Sequence, residues 1–214
     1  MKLHWCPRTR SLRALWMLEE AGAAYERVLV DIQAGGQQDP AFLALNPMAK
    51  VPVLEQGAIV IADSTAICAW LADRMPEAGL APPLNHTDRG RYLQWLIFPA
   101  AYMEPAMVER HGGWQGNPQA YGWGDLDRVM ATLDAGLAQG PWLLGQQFSA
   151  ADVVVGSALR WGLAFGLIPA TSLRTDYVQR CEARPALQRA LAIDAGPEEA
   201  AAAGAAAGPK PPRD

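Results

Sequence analysis

The sequence predicts an α+β chain in which a small mixed β/α unit precedes a wholly helical bundle. Three observations predict it. Residues 1–75 alternate short β-rich runs with longer runs of helical spacing. Pro76–Pro83 is a stretch of Pro, Gly and Ala that reads as a linker. After Asp88 every apolar run keeps a helical period.

Within the first unit, Met1–Trp5 reads as a short strand and Ser11–Gly22 as a helix. Leu12, Leu15, Trp16 and Leu18 keep helical spacing there, and Gly22 supplies the stop. Tyr25–Ile32 alternates as a strand should, and a loop segment follows. Val51–Leu54 and Ala58–Ile61 are β-rich runs split by Glu55-Gln56-Gly57, a hairpin signal. Ser64–Met75 then reads as a helix with Ile67, Trp70 and Leu71 on one face. The order is βαβ, loop, ββα, so a parallel pair with a right-handed crossover is extended by an antiparallel hairpin.

In the second unit, Tyr92, Leu93, Leu96 and Ile97 share a helical face, as do Leu126, Val129, Met130, Leu133 and Leu137. Phe148-Ser-Ala-Ala-Asp-Val153 is a helix start with a capping box: Ser149 and Asp152 exchange hydrogen bonds while Phe148 packs on Val153. The expected boundaries are 1–76 for the first domain, 77–86 for the linker, 87–194 for the helical domain and 195–214 for a low-complexity tail.

Composition excludes several classes. With 214 residues, half of them hydrophobic and 19% charged, the chain can bury a proper core. A net charge of -4 offers nothing to nucleic acid or an anionic membrane. There is no phosphate-binding glycine loop. Cys6, Cys68 and Cys181 are widely spaced and odd in number, which fits a reducing compartment better than a disulfide framework. His4, His86 and His111 have no ligand spacing, so no metal is expected. Met1–Trp5 is not the start of a signal peptide. The longest apolar run, Val153–Ile168, is shorter than a bilayer and contains Arg160. A cytoplasmic location is the expectation.

Three segments can carry chemistry. In Lys50-Val51-Pro52-Val53-Leu54 a proline opens an edge strand, and a cis Val51–Pro52 bond would turn the Val51 backbone outward for strand addition. Asp63-Ser64 at a helix start offers a charge for an ammonium and a hydroxyl beside free N–H groups for a carboxylate. In Cys6-Pro7-Arg8-Thr9-Arg10-Ser11 a thiol or hydroxyl feels a helix N-terminus and two arginines, a setting that stabilises a thiolate. One hydroxyl donor there would lower a bound thiol by roughly one to two pKa units. Each segment also has a plain reading: an edge proline, a helix cap, and a capped helix start beside a space-filling cysteine.

Taken in order, these segments resemble the glutathione S-transferase superfamily. The resemblance rests on Cys6-Pro-Arg-Thr-Arg-Ser-Leu-Arg13, Asn46-Pro-Met-Ala-Lys-Val-Pro-Val-Leu54, Asp63-Ser64 and Phe148-Ser-Ala-Ala-Asp152. It implies a thioredoxin-like N-terminal domain, an all-helical C-terminal domain, glutathione as co-substrate and a homodimer built partly on the helix after Ser64. It implies that Val51, presented by cis-Pro52, pairs with the cysteinyl part of glutathione. Asp63 and Ser64 would hold the γ-glutamyl end, and Lys50 would lie near the glycyl carboxylate.

At the catalytic position the family offers two precedents. Counting back from Arg13, Thr9 falls where some members keep a catalytic serine, and Cys6-Pro7 falls on the Cys-Pro of omega-like members. With Thr9 where a second cysteine would stand, a dithiol cycle is excluded. The leading expectation is a transferase that activates glutathione toward a small hydrophobic electrophile through Thr9. A thiol transferase or reductase using Cys6 and a non-catalytic glutathione-binding module remain as alternatives. The electrophile pocket is expected between the domains at Tyr102, Met103, Trp114 and Trp161, under a Gly112–Gly124 lid.

Overall fold

A computed structural model describes residues 1–114 and 116–195, so the 196–214 part of the expected tail lies outside the described residues. Four strands form one sheet in the order β2-β1-β3-β4: β1 Lys2–Trp5, β2 Glu26–Leu29, β3 Val53–Gln56 and β4 Ile59–Ile61. β1 and β2 are parallel, whereas β1/β3 and β3/β4 are antiparallel. The βαβ–ββα order read from the sequence is present, with strand ends shifted by a few residues. Gly57 makes the hairpin turn at φ 60°, a conformation that costs glycine nothing.

Helix α1 (Ser11–Ala21) crosses between β1 and β2 and stops at Gly22, which adopts the left-handed conformation. Helix α3 (Ser64–Arg74) follows β4. Together they cover the sheet face that carries Leu3 and Leu54, which pair across β1 and β3 and are fully buried. The segment expected to be loop contains a short helix, α2 (Pro40–Leu45), with proline at its first turn. Six residues show too little periodicity to identify it in sequence, and burial secures it: Phe42 packs with Val30 and Val53 in a small second core.

The second half is helical throughout. Helix α4 (Arg89–Phe98) runs through a π-helical segment, Pro99–Met103, into α5 (Glu104–Gly112). Then follow α6 (Leu126–Leu137), α7 (Ala150–Ala164), α8 (Ser172–Glu182) and α9 (Pro185–Asp194). Helix α7 is the axis of this half. Val153, Val154 and Val155 are consecutive and all fully buried, so the helix has no solvent face over its first turns. Gly156 lets it approach closely, since a Cβ there would sit 2.9 Å from Cys181 Sγ and 3.3 Å from the Trp16 ring.

The capping box that the sequence predicts is present at the start of α7. Asp152 does more than cap. One carboxylate oxygen accepts from the Ser149 N–H and hydroxyl, and the other from the Leu143 N–H and the Tyr177 hydroxyl, all within 3.1 Å. Phe148 packs on Trp16 of α1 and Trp142, so this corner joins the two halves of the protein. Removing the carboxylate strands several buried donors at once. Asp152→Ala is therefore expected to cost about 3 kcal/mol or more, against about 1 kcal/mol for Tyr177→Phe, which removes one donor. Denaturant midpoints of both variants check this, and a smaller loss for Asp152→Ala than for Tyr177→Phe would refute the assignment.

Candidate functional site

A cleft of about 590 Å³ opens where the sheet unit meets α5, α7 and α9. One wall comes from the β1–α1 loop and the first turns of α1, with Arg8, Thr9, Arg10 and Arg13. A second comes from the chain before β3, Ala49–Pro52, and from Asp63 and Ser64 at the start of α3. The helical half closes the third side with Glu104, Met107, Ser157, Arg160, Trp161 and Leu187. Thr9, Lys50, Val51, Pro52, Asp63 and Ser64, singled out from widely separated segments, thus line one cavity.

The β1–α1 loop is held by hydroxyls. The Thr9 hydroxyl lies 2.7 Å from the Cys6 carbonyl and 2.9 Å from Ser11 Oγ, and it accepts the Ser11 N–H at 3.1 Å. Ser11 is fully buried and accepts the Cys6 N–H. Thr9 has one proton to give, so donating to a ligand sulfur means releasing Cys6 C=O or Ser11. Cys6 is a free, partly exposed thiol that does not line the cleft.

Before β3, the buried Asn46 donates to the Lys50 carbonyl at 2.7 Å and accepts the Met48 N–H, which shapes the turn into Val51. The Val51–Pro52 peptide is cis, as expected. Among the described residues the Val51 N–H and C=O have no hydrogen-bond partner, so both are open to an extended ligand backbone. Asp63 caps α3 through Oδ1, which accepts the Ala66 N–H at 2.8 Å. Ser64 is buried and its Oγ accepts from Arg13, which leaves its own proton for a ligand.

Arg13 and Glu104 were not identified as site residues from sequence. Arg13 is 4% exposed, a guanidinium in the apolar seam between the two halves. It donates to Ser64 Oγ and to Glu104 Oε1, both at 3.0 Å, while Arg10 donates to Glu104 Oε2. A charged residue on the inner face of an otherwise apolar helix is the one signal that points to it. Burial pushes the Glu104 carboxyl up, but the Arg13 and Arg10 guanidiniums outweigh that and hold it below its ordinary value.

The electrophile expectation needs correction. Met103 is fully buried in the helical core, Tyr102 stacks on Phe98 outside the cleft, and Trp114 is 66% exposed and also outside it. Met107, one turn further along α5, lines the cavity instead. Trp161 does line it. Within the expected lid, Trp123 is tied to Glu109 of α5 and stacked on Tyr121.

A mixed sheet joined to a helical bundle, with a cleft at the seam, defines a two-part α+β protein with room for a small ligand. Residues 5–74 match the family described as "Glutathione S-transferase, N-terminal domain", and residues 66–161 match "Glutathione S-transferase, C-terminal domain". The chain is 28% identical over 206 residues to glutathione S-transferase GstA of Escherichia coli O157:H7, covering 91% of this chain and 98% of that one. It is 26% identical over 206 residues to the disulfide-bond oxidoreductase YfcG of Escherichia coli K12, covering 88% and 93%. A solved glutathione transferase from Methylococcus capsulatus shares the fold with a TM-score of 0.75 and 30% identity, over 90% of this chain and 98% of that chain. The chain belongs to the glutathione S-transferase superfamily.

The lowered Glu104 carboxyl sets a pH dependence. A group held below its ordinary value of 4.5 contributes stability that is fully present above that value and is lost as pH falls through the lower folded value. Glu104→Gln removes this contribution. The wild type should exceed the variant in unfolding free energy at neutral pH, and the gap should narrow below the ordinary carboxylate value. A gap that stays constant would show that Glu104 is not held by its arginines.

Proposed function

We propose that this protein is a glutathione transferase that activates the glutathione thiol for conjugation to small hydrophobic electrophiles. The observation that carries this is the convergence of Thr9, Val51 and the Asp63–Ser64 pair on one cleft at the domain seam. Val51 pairs its open N–H and C=O with the cysteinyl residue. Asp63 takes the γ-glutamyl ammonium and Ser64 donates to the carboxylate beside it, while Lys50 neutralises the glycyl carboxylate. Thr9 then turns its proton from the Cys6 carbonyl to the thiol sulfur. Trp161, Met107 and Leu187 form the apolar side that receives the electrophile. Proximity and a stabilised thiolate supply the rate.

The second reading, disulfide reduction through a mixed disulfide on Cys6, is favoured by the likeness to YfcG and by the partly exposed Cys6 thiol in the same loop as Thr9. The same proposal includes domains at 1–76 and 87–194 joined by 77–86, a cytoplasmic location and a homodimer. Among the described residues no helix is long and apolar enough to cross a membrane. Light scattering at micromolar concentration tests the dimer, and a monomer would refute it.

Ser64→Ala should weaken glutathione binding by about 1.5–3 kcal/mol, the loss of a charge-assisted hydrogen bond, in titration calorimetry. Unchanged affinity would remove Ser64 from the γ-glutamyl site. Thr9→Val should raise the thiol pKa in the pH profile of conjugation by roughly one to two units. Cys6→Ala should leave that profile in place and abolish any disulfide reduction. The opposite pattern would make Cys6 the catalytic residue and the reductase reading the correct one.

A further inference from the structure

The β1–α1 loop is reached from the far end of the chain. Asp194 is the last residue of α9, and it is 8% exposed. Both of its carboxylate oxygens lie 3.2 Å from the backbone N–H of Arg8, 186 positions earlier and next to Thr9. Among the described residues, Arg8 is one of two non-glycine residues with positive φ, at 58°. That left-handed conformation is unfavourable for a side chain-bearing residue, by about 1 kcal/mol or more, and persists where its surroundings enforce it. Nothing in the local sequence Cys6-Pro7-Arg8-Thr9 enforces it, since no glycine or asparagine stands there. The Asp194 carboxylate accepts from the Arg8 N–H in that conformation and so favours it.

We propose that Asp194 is a positioning residue for Thr9: from the end of α9 its carboxylate pins the Arg8 backbone in a left-handed turn and so aims the Thr9 hydroxyl into the cleft. This rests on the reading of Thr9 as the donor to glutathione. The turn at Arg8 reverses the chain between Cys6, whose carbonyl holds the resting Thr9 proton, and Ser11, whose N–H fixes Thr9 Oγ1. If the turn relaxes toward negative φ, the Thr9 Cα shifts relative to both, and its hydroxyl leaves the position from which it can switch from Cys6 to a sulfur. Among the described residues, Arg8 and Arg160 of α7, whose Nε donates to Glu182, are the charged groups that act on Asp194. Burial pushes the Asp194 carboxyl above its ordinary value, while the Arg8 N–H and the two guanidiniums pull the other way. Catalytic geometry is thereby tied to the docking of α9 on α1, two elements of different domains.

The test compares Asp194→Leu, which removes the acceptor at similar size, with Asp194→Asn, which keeps one acceptor oxygen and loses the charge. The readouts are the ultraviolet thiolate absorbance of bound glutathione against pH, steady-state kinetics of conjugation and thermal unfolding. Asp194→Leu should raise the thiol pKa by about one unit and lower kcat at pH 7 about tenfold, matching the direction of Thr9→Val. The glutathione KM should move much less, because Val51, Ser64 and Lys50 are untouched. Asp194→Asn should recover most of the loss, and Thr9→Val combined with Asp194→Leu should be little worse than Thr9→Val alone. A lower unfolding temperature with the thiol pKa and kcat unchanged would make Asp194 a structural residue only and overturn the proposal. Equal defects in both variants would also overturn it, since charge and not the acceptor would then be what matters. If Asp194→Leu fails to fold, Asp194→Ser, with its shorter reach, replaces it with the same expected shift. An unshifted Thr9→Val overturns the donor reading, and this proposal with it. A shifted Thr9→Val beside an unshifted Asp194→Leu overturns this proposal alone.

Discussion

A guanidinium buried at the seam of two domains constrains the rest of the site. Arg13 has left water, and its charge is tolerable only while Glu104 faces it and Ser64 accepts from it. Those partners come from α5 and α3, so the first helix, the last helix of the sheet unit and a helix of the bundle must meet at one point. Breaking any one contact leaves a buried charge short of a partner. This is why the seam is polar at its centre although its surroundings are Trp16, Leu15 and Ile67. It also makes the relative placement of the two halves specific, where apolar packing alone would tolerate sliding.

The cleft follows from that constraint. Ser64 can offer its proton to a ligand because its Oγ acts toward Arg13 as an acceptor, which leaves the hydroxyl proton uncommitted. Arg10 shares Glu104 and lies 5.8 Å over the Trp161 ring, so the same acid also steadies one rim of the cleft. Ion pairs of Arg184 with Glu20 and of Arg189 with Glu19 hold α9 against α1 and set where Asp194 reaches the loop. The bonds that α9 makes to α1 and to the β1–α1 loop each span more than a hundred residues of sequence.

Much of the site was legible before any fold was known, for particular reasons. Ser149 and Asp152 lie within one turn, so their bonds are local and the spacing announces them. Asp63-Ser64 and Lys50-Val51-Pro52 were legible for the same reason: a helix start and an edge proline are signals contained in a few residues. Asn46 stood inside a quoted motif without a role, because its partners are backbone groups with no signature of their own. Met103 and Met107 lie one turn apart on the same helical face, so spacing alone does not say which of them reaches the cleft.

By itself the sequence determined the βαβ–ββα order of the first unit and the helical character of the second, the hairpin at Gly57, the capped start of α7 and several segments that supply the cleft. Those depend on backbone propensities and side chains a few positions apart, which act in any context. Only the tertiary structure decided which of those segments meet, that Arg13 and Glu104 join them, that Cys6 stays out of the cavity while Thr9 enters, and that Asp194 reaches Arg8. The physical reason is that these contacts close loops of tens to nearly two hundred residues, and their strength comes from burial and charge pairing that exist only once the two domains are packed.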